Sequence, residues 1–148
     1  MPDLISLTPD PLDLLLEQQE AFSARVYRDS RGFLTVGFGT NLDVGISRRQ
    51  ALALLILARE EFDRALGVLP WYASLDPTRR RVVQDMAYNL GVTGVCGFHQ
   101  MIAAIEARDF AAAKAHMLAS DWARQVGHRA VILAEIMETG VFPTLMAA

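Results

Sequence analysis

The chain opens with a helical pattern of hydrophobic positions and then changes to strand-like alternation. The leucine-rich stretch at 12–22 predicts one helix that ends near Glu20. Segments 24–27 and 33–36 alternate between apolar and polar residues, and the turn-forming sequence DSRG at 29–32 separates them. The first third of the chain therefore predicts a helix followed by a β-hairpin.

Helical signals dominate the rest of the chain. Ser47 is placed to cap a helix that runs to about Leu66, where Gly67 supplies a stop. Asp76, followed by a proline, predicts the start of a helix that runs to Gly91. Further helices are predicted over residues 98–107, 109–118, 121–126 and 128–139.

Length and composition fit one small globular domain. The chain has 148 residues, of which 52% are hydrophobic, and this is enough to build a core. We predict a mostly helical α+β fold that forms a single domain over residues 1–148. Its expected parts are an N-terminal helix and hairpin lobe at 12–46, a linking helix at 47–67 and a helical lobe at 68–148.

Charge and targeting signals narrow the expected partners and location. A net charge of -3 gives no general attraction to nucleic acid or to an anionic membrane. The N-terminus lacks a basic region and is interrupted by prolines and aspartates, so we expect no signal peptide and a cytoplasmic protein. The longest apolar run, at 51–58, is too short to span a bilayer, and stable membrane insertion is not expected.

Cys96 is the sole cysteine, so no intramolecular disulfide can form.

Candidate chemistry is concentrated between Glu20 and Gly39. Glu20 falls at the predicted helix end, Asp29 at the end of the first strand, and Thr35 on the second strand. Two opposed carboxyl groups are what hydrolysis of a glycosidic bond requires, because one protonates the leaving oxygen and the other acts as base or nucleophile. Glycines at 32, 37 and 39 permit a tight turn and the close approach of a ligand, and Gly39 is a predicted substrate-contact position.

The segment 20–39 resembles the active-site motif of the phage-type lysozymes. The resemblance implies that Glu20 is the general acid, that Asp29 handles the attacking water, and that Thr35 helps to position that water. It also implies inversion at the anomeric carbon. Thr40 departs from the T-even phage pattern, which has a histidine there, but this change touches none of the three catalytic groups.

The second half of the chain carries an independent resemblance to the same family. Matching segments occur in the same order at 74–81, 86–91, 93–98, 120–122 and 128–130, so the resemblance covers about residues 12–142. It implies that Tyr88 and Asn89 line a cleft between the lobes against the sugars, with His116 at a further cleft position. Arg129 is expected to face Glu20.

Two departures from the T-even pattern are paired. Arg31 replaces an acid of that pattern, and Asp121 replaces an arginine. Because the two charges are exchanged together, we infer that the two side chains contact each other. We predict that Arg31 and Asp121 form an exposed ion pair across the mouth of the cleft when the lobes close, and we call this pair the latch.

Other kinds of site have weaker support. Histidines at 99, 116 and 128 lack the spacing of a helical zinc site, so no metal and no cofactor is expected. Three arginines at 79–81 precede a pattern that resembles a helix-turn-helix in outline. Its second helix would contain Gly94 and Gly97 and would offer no Arg or Lys to DNA, so nucleic acid is not an expected partner. The three arginines are expected to be solvated, with their stems packed on the core.

The predicted function is hydrolysis of the β-1,4 bond between N-acetylmuramic acid and N-acetylglucosamine in bacterial peptidoglycan. The resemblance implies a monomeric endolysin that waits in the host cytoplasm and reaches the wall through a separate membrane pore formed by a holin. A tail-borne or secreted muramidase is the alternative within the same chemistry. A lysozyme-like module that binds glycan without cleaving it is the alternative from a different class.

Overall fold

The computed structural model describes residues 8–144, which form a mostly helical α+β fold. The helices are α1 (Pro11–Gln19), α2 (Arg48–Leu66), α3 (Pro70–Ala73), α4 (Pro77–Cys96), α5 (His99–Glu106), α6 (Phe110–Leu118), α7 (Asp121–Val126) and α8 (His128–Thr139). The strands are β1 (Ser23–Arg28), β2 (Leu34–Gly37) and β3 (Thr40–Asn41), and they form an antiparallel sheet in the order β1-β2-β3. The predicted fold class is confirmed.

Helix α1 is fixed at both ends by local hydrogen bonds. The Asp10 carboxylate accepts from the backbone N–H groups of Leu12 and Asp13, while the Asp13 carboxylate accepts from the Asp10 N–H. This reciprocal cap satisfies N–H groups that a helix start leaves unpaired. At the other end Glu20 has extended backbone angles, and its N–H donates to the Leu16 carbonyl at 2.8 Å. The predicted helix end near Glu20 is confirmed.

The hairpin follows the predicted strands, with one irregularity. Tyr27 pairs with Thr35 and Arg28 pairs with Leu34, and the pairing register shifts between Ser23 and Tyr27. Between the pairs Ser23–Gly37 and Tyr27–Thr35, β1 advances four residues while β2 advances two, so the ladder is irregular there. Strand β3 was not predicted, because a strand of two residues is too short to show alternation.

The helical boundaries agree closely with the capping signals. Ser47 Oγ accepts from the Gln50 N–H at 3.2 Å, and the Ser47 N–H donates to Gln50 Oε1 at 2.8 Å, which caps α2 as predicted. Helix α4 continues past its predicted end, but Gly91 has φ 71° and ψ 167°, so the helix is interrupted at that glycine. The short helix α3 was not predicted, because four residues are too few to show a helical period.

The chain divides into two compact units, residues 1–55 and residues 56–148, and the boundary falls inside α2. All buried apolar residues within the described range 8–144 belong to the second unit. Its largest fully buried side chains are Tyr72, Leu66, Met86, Met101, Ile105, Met117, Met137, Val82, Val83 and Val95. Among the described residues of the first unit, Thr35 alone is buried. None of the helices between residues 8 and 144 is both long and apolar enough to cross a membrane.

A polar network, buried at Tyr72 and Gln84 and exposed at Asp63, connects the second half of α2 to α3 and α4. The Tyr72 hydroxyl donates to Asp63 Oδ1 at 2.5 Å, and Gln84 Nε2 donates to the Tyr72 oxygen at 2.7 Å and to Asp63 Oδ1 at 3.0 Å. Burial, and then the hydrogen bond to Asp63, raise the pKa of Tyr72 above its usual range. Because Asp63 lies on α2, Tyr72 on α3 and Gln84 on α4, the network ties three helices together.

Arg79 joins the start of α4 to the end of α8. Its Nε donates to the Met137 carbonyl at 2.7 Å and its Nη2 to the Glu138 carbonyl at 2.8 Å. Its Nη1 donates to Asp76 at 2.8 Å, and its guanidinium lies 3.7 Å from the centre of the Phe110 ring. The expected packing of this stem on the core is confirmed, but the expectation of a solvated arginine is wrong at this position, because the Arg79 side chain is only 15% exposed and its guanidinium donates to protein oxygens.

We therefore expect Arg79→Met to lower the free energy of unfolding by about 3 kcal/mol, because it removes charged donors from two helix-end carbonyls. Urea denaturation measures this loss. Arg81→Met is the matched control, since Arg81 is exposed and lies 6.0 Å from the Phe142 ring centre. We expect that change to cost less than about 1 kcal/mol. Equal losses in the two variants would contradict the role given to Arg79.

Candidate active site

Glu20 stands at the point where α1 ends and the chain turns toward β1. Its side chain is exposed and opens onto a shallow pocket of about 620 Å³. The pocket is lined by Glu17, Gln18, Gln19, Glu20, Ala21, Phe22 and Phe38. The rings of Phe22 and Phe38 have centroids 5.3 Å apart, so the segment after Glu20 contacts the turn that follows β2.

The backbone of Gly39 approaches the Glu20 carboxyl group directly. A Cβ atom built on Gly39 would lie 3.0 Å from Glu20 Oε2 and 3.3 Å from its Cδ. The helix end and the hairpin therefore meet at this carboxyl group, as the sequence predicted.

Asp29 is held by the hairpin turn. Its Oδ1 accepts from the backbone N–H groups of Arg31 and Phe33, each at 2.9 Å. Its Oδ2 lies 3.8 Å from Arg31 Nε. Two backbone donors on one oxygen fix the orientation of the carboxylate, and the second oxygen keeps its capacity to accept a hydrogen bond.

Thr35 lies beside Asp29. The Thr35 hydroxyl donates to the Phe33 carbonyl at 3.0 Å, and the Asp29 N–H donates to the same oxygen at 2.9 Å. Thr35 is 3% exposed. The shared acceptor places the hydroxyl and Asp29 on one side of the turn, in agreement with the β1–β2 register.

The predicted catalytic residues thus form two groups, one at each end of β1. Glu20 and Gly39 come together before the strand, while Asp29 and Thr35 come together after it. The shift in pairing register between Ser23 and Tyr27 lies between the two groups. Glu20 is exposed, whereas Asp29 is hydrogen-bonded by the hairpin turn, so the two carboxyl groups have different surroundings.

The substrate residues predicted in the second unit occupy two places. Tyr88 and Asn89 are exposed on α4 just before the interruption at Gly91, and the Tyr88 ring lies edge-on to Phe62 with centroids 6.4 Å apart. His116 is half-buried and lines a pocket of about 550 Å³ within this unit. That pocket is lined by Leu90, Gly97, Phe98, His99, Gln100, Met101, His116, Ala119, Ser120, Asp121, Trp122 and Gln125. Sugar binding by these residues stays a prediction.

The three predicted supporting residues have ionic partners within their own units. Arg129 Nη2 lies 2.6 Å from Asp85 Oδ1. Asp121 forms an ion pair with Arg124, and Arg31 forms one with Asp29. The pairs with Asp85 and Arg124 were not predicted. The expected contacts of Arg129 with Glu20 and of Arg31 with Asp121 stay predictions.

Residues that sequence reasoning overlooked complete the hairpin. Asp43 Oδ2 accepts from the Leu34 N–H at 2.8 Å, and Asn41 Oδ1 accepts from the Asp43 N–H at 2.9 Å. The Asn-x-Asp spacing at 41–43 was a usable signal, because such side chains commonly bond to backbone two residues away. Across residues 8–144, no group of three or more His, Cys, Asp or Glu side chains is arranged to hold a metal ion.

The helical α+β fold, with Glu20 before β1 and Asp29 after it, is the arrangement expected of a lysozyme-like protein. The family model described as phage lysozyme matches residues 17–135, and the chain belongs to that family. It is also 25% identical over 158 aligned residues to "Probable T4-type lysozyme 1" of Dictyostelium discoideum, an alignment that covers 85% of this chain and 92% of the relative. Family membership supports a glycoside hydrolase of the lysozyme class. Every residue predicted for the site lies within the matched segment.

Proposed function

We propose that this protein is a muramidase that hydrolyses the β-1,4 bond between N-acetylmuramic acid and N-acetylglucosamine in peptidoglycan. In this proposal Glu20 is the general acid, Asp29 is the base, and Thr35 positions the attacking water. The observation that carries the proposal is the separation of the two carboxyl groups into different settings at the two ends of β1.

Asp29 has the features of a base that acts on water. Its Oδ1 is committed to two backbone N–H groups, so Oδ2 is the oxygen that can accept a proton from water. The Thr35 hydroxyl uses its hydrogen on the Phe33 carbonyl, which leaves its lone pairs to accept a hydrogen bond from the same water. Together they can hold and activate one water molecule.

Glu20 has the features of an acid that meets a large substrate. It is exposed beside an open pocket, and the rings of Phe22 and Phe38 offer apolar surface next to it. A polymer chain needs such an open approach, because it cannot be enclosed in a deep cavity. Protonation of the glycosidic oxygen by Glu20 would release the leaving sugar.

We propose inversion at the anomeric carbon, because a water held between Asp29 and Thr35 attacks directly. The two carboxyl groups should then lie roughly 6.5 to 9.5 Å apart in the working enzyme. We expect the α-anomer as the first product released from the β-linked substrate, and NMR of a fresh digest measures it. A first-formed β-anomer would show retention and would remove Asp29 from the role of base.

We further propose that the target is the wall of a host bacterium, with a separate membrane pore giving access to it. Membership of the phage lysozyme family supports this role. Turbidity of outer-membrane-permeabilised cells should fall on addition of the protein, and purified peptidoglycan should be solubilised. Retention on peptidoglycan without solubilisation would identify a glycan-binding module instead.

A further inference from the structure

Gly39 differs from the other glycines of the hairpin in the atoms that would surround an added side chain. The three atoms nearest to a Cβ built at Gly39 all belong to Glu20: Oε2 at 3.0 Å, Cδ at 3.3 Å and Cγ at 3.8 Å. Gly32 and Gly37 have nothing within 4 Å of such an atom. Position 39 is therefore crowded by the carboxyl group of Glu20.

The backbone angle φ does not distinguish Gly39 from Gly32 and Gly37. The φ values are +87° at Gly32, +66° at Gly37 and +80° at Gly39, so each of the three would be strained by an L side chain. A substitution at Gly37 reports that strain alone. A substitution at Gly39 reports the same kind of strain together with contact with the Glu20 carboxyl group.

The crowded atoms lie at the end of a flexible and exposed side chain. An added methyl group at position 39 would therefore push the carboxyl group aside instead of breaking the fold. The Phe22–Phe38 contact holds the segment after Glu20 against this turn, which limits how far the backbone of the turn can move away. A side chain at position 39 would therefore change the location of the Glu20 carboxyl group.

We propose that Gly39 is a positioning residue for Glu20, and that its lack of a side chain leaves the space in which the acid is held for proton transfer. This inference rests on the proposed function, since it requires Glu20 to be the acid. It assigns Gly39 a role through Glu20, in contrast to the direct substrate contact that the sequence predicted.

The test compares Gly39→Ala with Gly37→Ala. Both variants should lose a similar amount of thermal stability, because both place an alanine at positive φ. We expect kcat on peptidoglycan to fall roughly 3- to 10-fold further in Gly39→Ala than in Gly37→Ala, with KM unchanged, because the added methyl group shifts the Glu20 carboxyl group by a few tenths of an ångström and a displaced catalytic group lowers the rate of the chemical step. The pH profile of kcat should also change in Gly39→Ala, because the acid has moved to new surroundings.

Two results would overturn the proposal. Equal losses of kcat in both variants would show that position 39 has no special relation to Glu20. A raised KM with unchanged kcat would assign Gly39 to substrate binding. If the alanine variants do not fold, Gly39→Asn and Gly37→Asn give the same comparison, because asparagine tolerates positive φ.

An NMR measurement separates this inference from the proposed function. The side-chain carboxyl resonance of Glu20 should move in Gly39→Ala and stay in place in Gly37→Ala, whether or not Glu20 is catalytic. An unmoved resonance would refute the contact itself. A moved resonance with undiminished kcat would refute the positioning role of Gly39 and leave the proposed function standing, because Glu20→Gln tests that function separately.

Discussion

Replacing Glu20 with Gln is expected to reduce kcat on peptidoglycan by a factor on the order of 10² to 10⁴ and to leave the fold unchanged. Glutamine matches the shape of glutamate but cannot supply the proton that the leaving sugar requires. The fold should tolerate the change because Glu20 is exposed and, within residues 8–144, its carboxyl group accepts no hydrogen bond that holds the structure.

Two measurements are needed for this variant. Initial rates of peptidoglycan solubilisation give kcat, and thermal denaturation shows whether the protein remains folded. Glu61→Gln is the matched control, since Glu61 is an exposed glutamate on α2, outside the site. We expect the control to keep full activity. Near-normal rates from folded Glu20→Gln would exclude Glu20 as the acid.

Asp29→Asn should cause the second large loss of activity, on the order of 10² to 10³ in kcat, because an amide cannot take a proton from water. Its effect on stability should be small. Asparagine keeps an oxygen at Oδ1, and this oxygen can still accept from the N–H groups of Arg31 and Phe33.

Asp29→Ala separates the two roles of this side chain. It removes the acceptor as well as the base, so the free energy of unfolding should fall by about 1 to 3 kcal/mol in addition to the loss of kcat. Asp43→Asn is the control, since Asp43 also accepts from a strand N–H but has no proposed chemical role. A loss of kcat in Asp43→Asn as large as in Asp29→Asn would show that the hairpin structure, and not the base, was being measured.

Much of the fold could be predicted because its boundaries are set by local signals. The start of α4 follows from Asp76, whose side chain accepts from the Arg79 N–H, and the end of α8 follows from Gly140, which adopts left-handed backbone angles. Strand β3 and helix α3 have no such pattern of their own. They depend on pairing with β2 and on the turn after Gly67, which involve neighbours that periodicity does not reveal.

The catalytic roles of Glu20, Asp29 and Thr35 were implied by a family resemblance and stay predictions, whereas some of their contacts could not be predicted at all. The strand register explains why Asp29 and Thr35 lie together. The approach of Gly39 to Glu20 depends on how the turn after β2 packs against the end of α1. The pairing of Arg129 with Asp85 depends on the packing of α8 against α4. Such contacts join residues that are distant in sequence, and local pattern carries no information about them.

The most direct test of the central claim is the identity of the sugar at the new reducing ends of digested peptidoglycan. Purified peptidoglycan is digested with the full chain, the products are reduced with borohydride, and the reduced amino sugars are identified after acid hydrolysis. Hydrolysis by a muramidase predicts reduced muramic acid as the new end group, in amounts that match the solubilised material and are absent with Glu20→Gln. Reduced glucosamine, or solubilisation without any new reducing end, would contradict the account.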